Sequence, residues 1–311
     1  MNGIVIKSTG NWYSVRVETG EVIPCRVKGK FRVAGFTTTN PVAVGDAVEL
    51  ERKPGDEWVI ARIGERRNCI VRRSTNLSRA RQVIAANVDQ ALLVATARHP
   101  ETSTVFMDRF LASAEAYGIP SVIVFNKIDL HDEEDALLVG ALSAIYRDAG
   151  YACVGASAVT GEGMEAVAAA VAGKVSVLAG LSGTGKSTLV NRLEPGLSLR
   201  TAGISTAHDT GRHTTTFAEM FPLSIGGFIV DTPGIRSFGL VDVKREELGR
   251  YFPEIFRVSR GCRYYNCTHV HEPGCAVMAA VEGGVISESR YASYASMFRE
   301  EEGKYRKNHF T

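Results

Sequence analysis

The chain has 311 residues, of which 45% are hydrophobic and 23% charged, and a net charge of +2. That is too apolar for a disordered chain and long enough for two or three buried cores, and the near balance of charge means that any nucleic-acid contact must rest on local clusters. No stretch approaches the roughly 18 apolar residues of a membrane helix and the N-terminus has no basic-then-apolar leader, so a cytoplasmic protein with no membrane partner is expected.

Residues 1 to about 66 alternate β-branched runs ("GIVIK", "WYSVRVE", "VIPCRVKGKFRV", "DAVELER", "EWVIARI") with Gly, Pro and Asp turns. Five short strands in this length suit an OB-fold barrel. Within "CRVKGKFRV", Arg26, Lys28, Lys30 and Arg32 recur at every second position, so a strand would put all four on one face as a stripe for RNA phosphates. Residues 66 to 82 hold six arginines and no acid, which reads either as a second phosphate contact or as a solvated basic linker.

From about 83 to 240, near-continuous apolar strands alternate with amphipathic helices, the texture of a parallel sheet covered on both faces. "FNKIDL" places Asn126, Lys127 and Asp129 after one such strand. Asp129 can accept from the ring N–H and amine of guanine, donors that adenine does not offer in that arrangement, Lys127 can lie over the base, and Asn126 can tie loops together. "GASAVTG" adds Ser157 and Ala158 as a second wall.

"GLSGTGKST" then follows the strand "KVSVLA" and opens a helix. Gly180, Leu181, Ser182, Gly183, Thr184 and Gly185 can wrap phosphates with backbone N–H groups; Lys186 reaches the outer phosphates, and Ser187, followed by Thr188, offers a hydroxyl to Mg²⁺. "GGFIVDTPG" adds Asp231 for the Mg²⁺ shell and Gly234 for the terminal phosphate. The base-reading tetrad therefore precedes the phosphate loop, the reverse of the usual Ras-like order. A parallel sheet tolerates this, because each motif needs only to end its own strand at the correct edge.

The last segment, 241 to 311, carries Cys262, Cys267, His269 and Cys275, three sulfurs and an imidazole suited to one tetrahedral, structural Zn²⁺. His271 is an alternative ligand that the local sequence does not separate from His269. Cys25, Cys69 and Cys153 are isolated and read as small buried hydrophobes.

The order of "NKID", "SA", "GLSGTGKST", "GRHTTT", "DTPG" and "CRYYNCTH" through "EPGC" behind a β-rich start resembles the circularly permuted GTPases of the RsgA family, over essentially the whole chain. The resemblance implies an α/β fold: a circularly permuted P-loop GTPase domain (67–240) between an OB-fold β-barrel (1–66) and a zinc-binding helical domain (241–311). It further implies a monomeric, Mg²⁺-dependent GTP hydrolase acting on the small ribosomal subunit and its rRNA, with His269 as the fourth zinc ligand. Ile235 stands where Ras-like enzymes carry a water-orienting glutamine. In "GRHTTT", His213 takes that role by the same resemblance, and Thr215 completes the Mg²⁺ shell.

Overall fold

In the computed structural model, which describes residues 1–28, 41–73, 81–197, 218–231 and 243–309, the N-terminal runs form β1 (Asn2–Ser8), β2 (Tyr13–Val17), β3 (Val22–Val27), β4 (Ala47–Arg52) and β5 (Trp58–Ile63). They pair in the order β1-β2-β3-β5-β4, and β4 returns to β1, so the sheet closes into a five-stranded barrel. The period-2 pattern sends Tyr13, Val15 and Val17 inward with Ile23, Cys25, Val48 and Leu50, as a pleated strand requires. The third apolar run extends to Val33 in sequence, whereas β3 ends at Val27, and residues 29–40 lie outside the described residues.

Much of the arginine-rich stretch lies in an antiparallel pair of strands, β6 (Cys69–Arg73) and β7 (Arg81–Ala86), which neither the phosphate-contact nor the linker reading anticipated. Two of the arginines just before this pair are held by carboxylates. Arg66 forks onto the fully buried Asp46 at 2.6 and 2.7 Å, and Arg67 reaches Asp89 at 2.7 Å. Cys69 is half-buried, unlike Cys25 and Cys153, which are buried.

The main sheet is ordered β10 (Ala152–Ala156), β9 (Ser121–Asn126), β8 (Gln90–Ala95), β11 (Val175–Ala179), β13 (Phe228–Asp231), β12 (Glu219–Pro222); the first five are parallel and β12 is antiparallel. Alternate residues of one strand face opposite cores. Leu93 and Ala95 pack with Met107, Phe110 and Leu111 of α1 (Thr104–Ala116) and Tyr146 of α2 (Glu133–Ala149). Leu92 and Val94 pack with Val167 and Val171 of α3 (Met164–Val171) and Leu189 and Val190 of α4 (Lys186–Leu193). Beyond β12 the sheet continues into the barrel, where Lys7 of β1 pairs with Glu219 in register and by an ion pair of 2.8 Å.

The C-terminal segment contains a 3₁₀ turn (Arg245–Tyr251), α5 (Pro253–Ser259), α6 (Ala276–Glu282) and α7 (Glu288–His309). Tyr294 and Phe298, four residues apart on α7 and so on one face of it, are buried in this module's core. The module also docks on α1 through charge. Arg290 of α7 donates to Glu254 of α5 at 2.7 and 3.1 Å and to Asp108 of α1 at 2.7 Å, with all three side chains almost wholly buried. Burial alone would favour deprotonation of Arg290, but Asp108 and Glu254 outweigh it and the guanidinium stays charged.

Candidate nucleotide site and metal cluster

Every described nucleotide motif ends a parallel strand at the same sheet edge. Asn126 is the last residue of β9, Ala156 of β10, Ala179 of β11 and Asp231 of β13. In an open α/β sheet that edge is where ligands sit, so the inverted chain order leaves the spatial order intact.

The phosphate loop leaves β11 at Gly180 and re-enters regular structure at α4 with Lys186 at its first position. Gly180 has φ 141° and Gly185 φ 88°; a Cβ on Gly180 would collide with the Val94 carbonyl and one on Gly185 with the Asn126 amide. Only glycine satisfies both the left-handed backbone and the close approach. Lys186 Nζ donates to the carbonyls of Gly180 and Leu181 at 2.9 and 2.6 Å, which keeps the ammonium at the loop. Thr184 and Ser187 are buried.

Asn126, 1% exposed, links the two loops that flank it. Its Nδ2 donates to Thr184 O at 2.8 Å, and its Oδ1 accepts from Ala158 N at 3.2 Å. One side chain therefore fixes the phosphate loop to the Ser157-Ala158 loop, the role its residue type suggested. Ser157 is buried, its N–H donating to Glu162 O at 2.8 Å and its hydroxyl accepting from Thr160 N at 3.0 Å. Lys127 has φ 67° and donates from Nζ to His99 O. A lysine in the left-handed region carries about 1–2 kcal/mol of strain, a cost that β9 and the following 3₁₀ turn impose to aim the chain at Asp129. That carboxylate is exposed at the strand edge.

The segment after β8 was not legible as part of this site. Arg98 forms ion pairs with Asp132, Glu134 and Asp135 at the start of α2, at 3.0, 3.4 and 2.7 Å, next to the His99 carbonyl that receives Lys127. Pro100 lies against Gly183, 3.2 Å from the position a Cβ would take there. A "HP" dipeptide signals a turn, and nothing local says that the turn abuts a phosphate loop. His213, Thr215 and Gly234 lie outside the described residues, as do Lys30 and Arg32. Of the basic stripe, Arg26 lies 4.3 Å above the Trp12 ring and 3.7 Å from Glu57, and Lys28 pairs with Glu51 at 2.9 Å.

Cys262, Cys267, His269 and Cys275 present donor atoms that all lie within 4.8 Å of one another. His269 Nδ1 is 3.5 Å from Cys262 Sγ and 3.6 Å from Cys275 Sγ, and those two sulfurs are 4.0 Å apart. A tetrahedral zinc with ordinary bond lengths requires about 3.6 Å between nitrogen and sulfur and about 3.8 Å between sulfurs, so the donor set fits that ion. His271 is exposed and outside the cluster. Burial lowers the His269 pKa, which keeps the imidazole neutral as a ligand must be. Burial pushes the Cys267 thiol up to about 12, helped by the neighbouring thiols; three thiolates this close need a cation.

Glu272 organises the loop. It accepts from Thr268 N at 2.8 Å, from the Thr268 hydroxyl, and from Val270 N and His271 N at 3.2 and 3.3 Å. Burial would raise its pKa, yet these hydrogen bonds outweigh that and bring it down to about 2. Tyr291 and Tyr294 of α7 then hold the His269 and Thr268 carbonyls at 2.8 and 2.6 Å.

A family model described as RsgA GTPase matches residues 63–241, more than half of the chain, and one described as RsgA N-terminal domain matches residues 2–60. The chain belongs to the RsgA GTPase family. Among relatives named small ribosomal subunit biogenesis GTPase RsgA, that of Bacteroides fragilis is 53% identical over 98% of this chain and 99% of its own length. That of Christiangramia forsetii is 50% identical over 98% of both. YjeQ from Thermotoga maritima superposes with a TM-score of 0.80 at 39% identity, covering 97% of this chain and 98% of that one. YloQ, described as a circularly permuted GTPase, gives 0.76 at 33% identity over 97% and 95%. As an RsgA family member the protein is a GTP hydrolase with a circularly permuted fold.

Proposed function

We propose that this GTPase acts in late maturation of the small ribosomal subunit in the cytoplasm, as a monomer that binds rRNA through its barrel and C-terminal modules and turns over faster on the subunit. The observation that supports it most is Asn126, which joins phosphate loop and base-side loop across 58 residues of chain, in a protein half identical to small-subunit biogenesis GTPases along nearly its whole length. Asn126, Lys127, Asp129, Ser157 and Ala158 hold the guanine end, and Gly180 to Thr188 with Gly234 hold the phosphates.

Ser187 and Asp231 offer the hard oxygen donors that Mg²⁺ takes, with Thr215 completing the set; the ion with GTP neutralises charge on the phosphates. His213 orients the attacking water in place of the missing glutamine. Cys262, Cys267, His269 and Cys275 hold one structural zinc ion. Arg26, Lys28, Lys30 and Arg32 face rRNA phosphates, Arg26 and Lys28 exchanging their present carboxylate partners for them.

GTP turnover measured with and without purified small subunits tests the reading. Stimulation by the subunits that disappears in His213→Ala is expected, and Asp129→Asn should lose preference for GTP over other purine nucleotides. A rate indifferent to subunits would refute the ribosomal role. Intact stimulation in His213→Ala would remove that residue's assignment alone.

A further inference from the structure

Cys267 N donates to Tyr264 O at 3.2 Å, closing a tight turn with Tyr265 and Asn266 at its corners. The turn is held between two members of the metal cluster, Cys262 and Cys267. Tyr265 is 103% exposed, Tyr264 42% and, on the adjoining α5, Phe256 43%. Tyr265 stands wholly in solvent, and every exposed large hydrophobic side chain between residues 255 and 271 is aromatic. Guanidinium groups accompany them: Arg263 lies 5.6 Å from the Tyr264 ring centre and Arg260 5.9 Å from that of Phe256. Arg260 and Arg263 make no ion pair among the described residues, and residues 255–271 contain three arginines and no carboxylate. Glu272, the next acid, is turned onto the N–H groups of its own loop.

From this arrangement we infer that the metal-loop tip, Tyr264 and Tyr265 flanked by Arg260 and Arg263, is a stacking platform for unpaired RNA bases. Flat rings stack on any base, and Arg260 and Arg263, which pair with no carboxylate among the described residues, supply the phosphate contacts. Aromatic rings and arginine serve at protein interfaces as well; what favours RNA here is charge, since three arginines and no carboxylate between residues 255 and 271 suit a run of phosphates. The two cluster cysteines explain the placement, because a tip anchored at both ends presents Tyr265 with little conformational entropy left to lose on binding. The inference rests on the RNA-binding reading above and assigns it a surface and a mode.

The test uses the full-length zinc-loaded protein and a fluorescent unstructured oligoribonucleotide, alone and annealed to its complement. Tyr265→Ala and Tyr264→Ala should each weaken single-strand binding roughly 5- to 150-fold. They should leave duplex binding and the slope of log affinity against log salt unchanged. Arg263→Gln should instead flatten that slope by about 0.7. Unchanged zinc content and melting temperature in each variant separate lost contacts from lost fold. Wild-type affinity in both tyrosine variants overturns the inference, as does a wild type that ignores the oligonucleotide while small subunits still stimulate turnover, which leaves the ribosomal reading standing. A tyrosine variant that loses affinity for subunits but not for naked RNA assigns the surface to a ribosomal protein and overturns it as well. Failure of subunits to stimulate the wild type refutes the broader reading instead.

Discussion

Replacing Arg290 with Met keeps an unbranched apolar stem, though a shorter one, and removes the guanidinium that bridges Asp108 and Glu254, which are 0% and 5% exposed at their side chains. Both carboxylates then stay buried as ions or take up a proton. At pH 7, protonating a carboxyl of ordinary pKa costs about 4 kcal/mol, so two set a ceiling of about 8. Tyr146, whose hydroxyl donates to Asp108 at 2.9 Å, still satisfies part of one, and relaxation brings the expected loss to the 3–5 kcal/mol typical of a broken buried pair. The sign with pH follows. Carboxyls stranded in the folded variant have raised pKa values, so stability is intact below their unfolded pKa and is lost as pH rises above it. The deficit against wild type should therefore shrink on going from pH 7 towards 4.5, by at most about 1.4 kcal/mol per pH unit per carboxyl and until it is exhausted. Urea unfolding followed by circular dichroism measures it, with tryptophan fluorescence as an internal control, since both tryptophans, Trp12 and Trp58, lie in the barrel region. A deficit under about 1 kcal/mol, or one independent of pH, refutes the view that this triad docks the C-terminal module on α1.

Asn126→Ala strands the Thr184 carbonyl and the Ala158 N–H together; at about 1–3 kcal/mol for a buried group left unpaired, a fluorescent GDP analogue should bind roughly 5- to 150-fold more weakly. Gly180→Ala should abolish that binding while the barrel's unfolding transition stays in place, because the added Cβ meets the Val94 carbonyl at the root of the phosphate loop. Chelation of the metal should expose α5–α7 to proteolysis before the rest of the chain, and substitution of Cys275 should do the same. Asp89 accepts from Val175 N at 2.8 Å and from Arg67, and although burial opposes them these bonds hold its carboxyl below the ordinary carboxylate range. Its stabilisation is present above the unfolded value and lost as pH falls through the folded one, so acid unfolding below about pH 4 should be steeper in wild type than in Asp89→Asn.

The nucleotide motifs were readable because each is a contiguous stretch ending one strand, and strand ends share an edge whatever the chain order. The barrel's alternation was readable for a similarly local reason, since period 2 decides which residues point inward. The partners of Arg66 and Arg67 were not readable, for the opposite reason. A basic run looks alike whether its partners are phosphates or, as here, Asp46 and Asp89 about twenty residues away.

By itself the sequence pointed to a GTPase, because the order and chemistry of its motifs mark the family, and it nominated Asp129, Lys186 and the loop glycines as the groups we propose for guanine and phosphate. Tertiary structure alone decided which groups Asn126 meets, Thr184 O and Ala158 N, that Arg98 gathers Asp132, Glu134 and Asp135 beside the His99 carbonyl, and that Arg290 meets Asp108 across 182 residues of chain. Such pairings depend on how helices and loops pack against one another, a long-range property that no local spacing encodes.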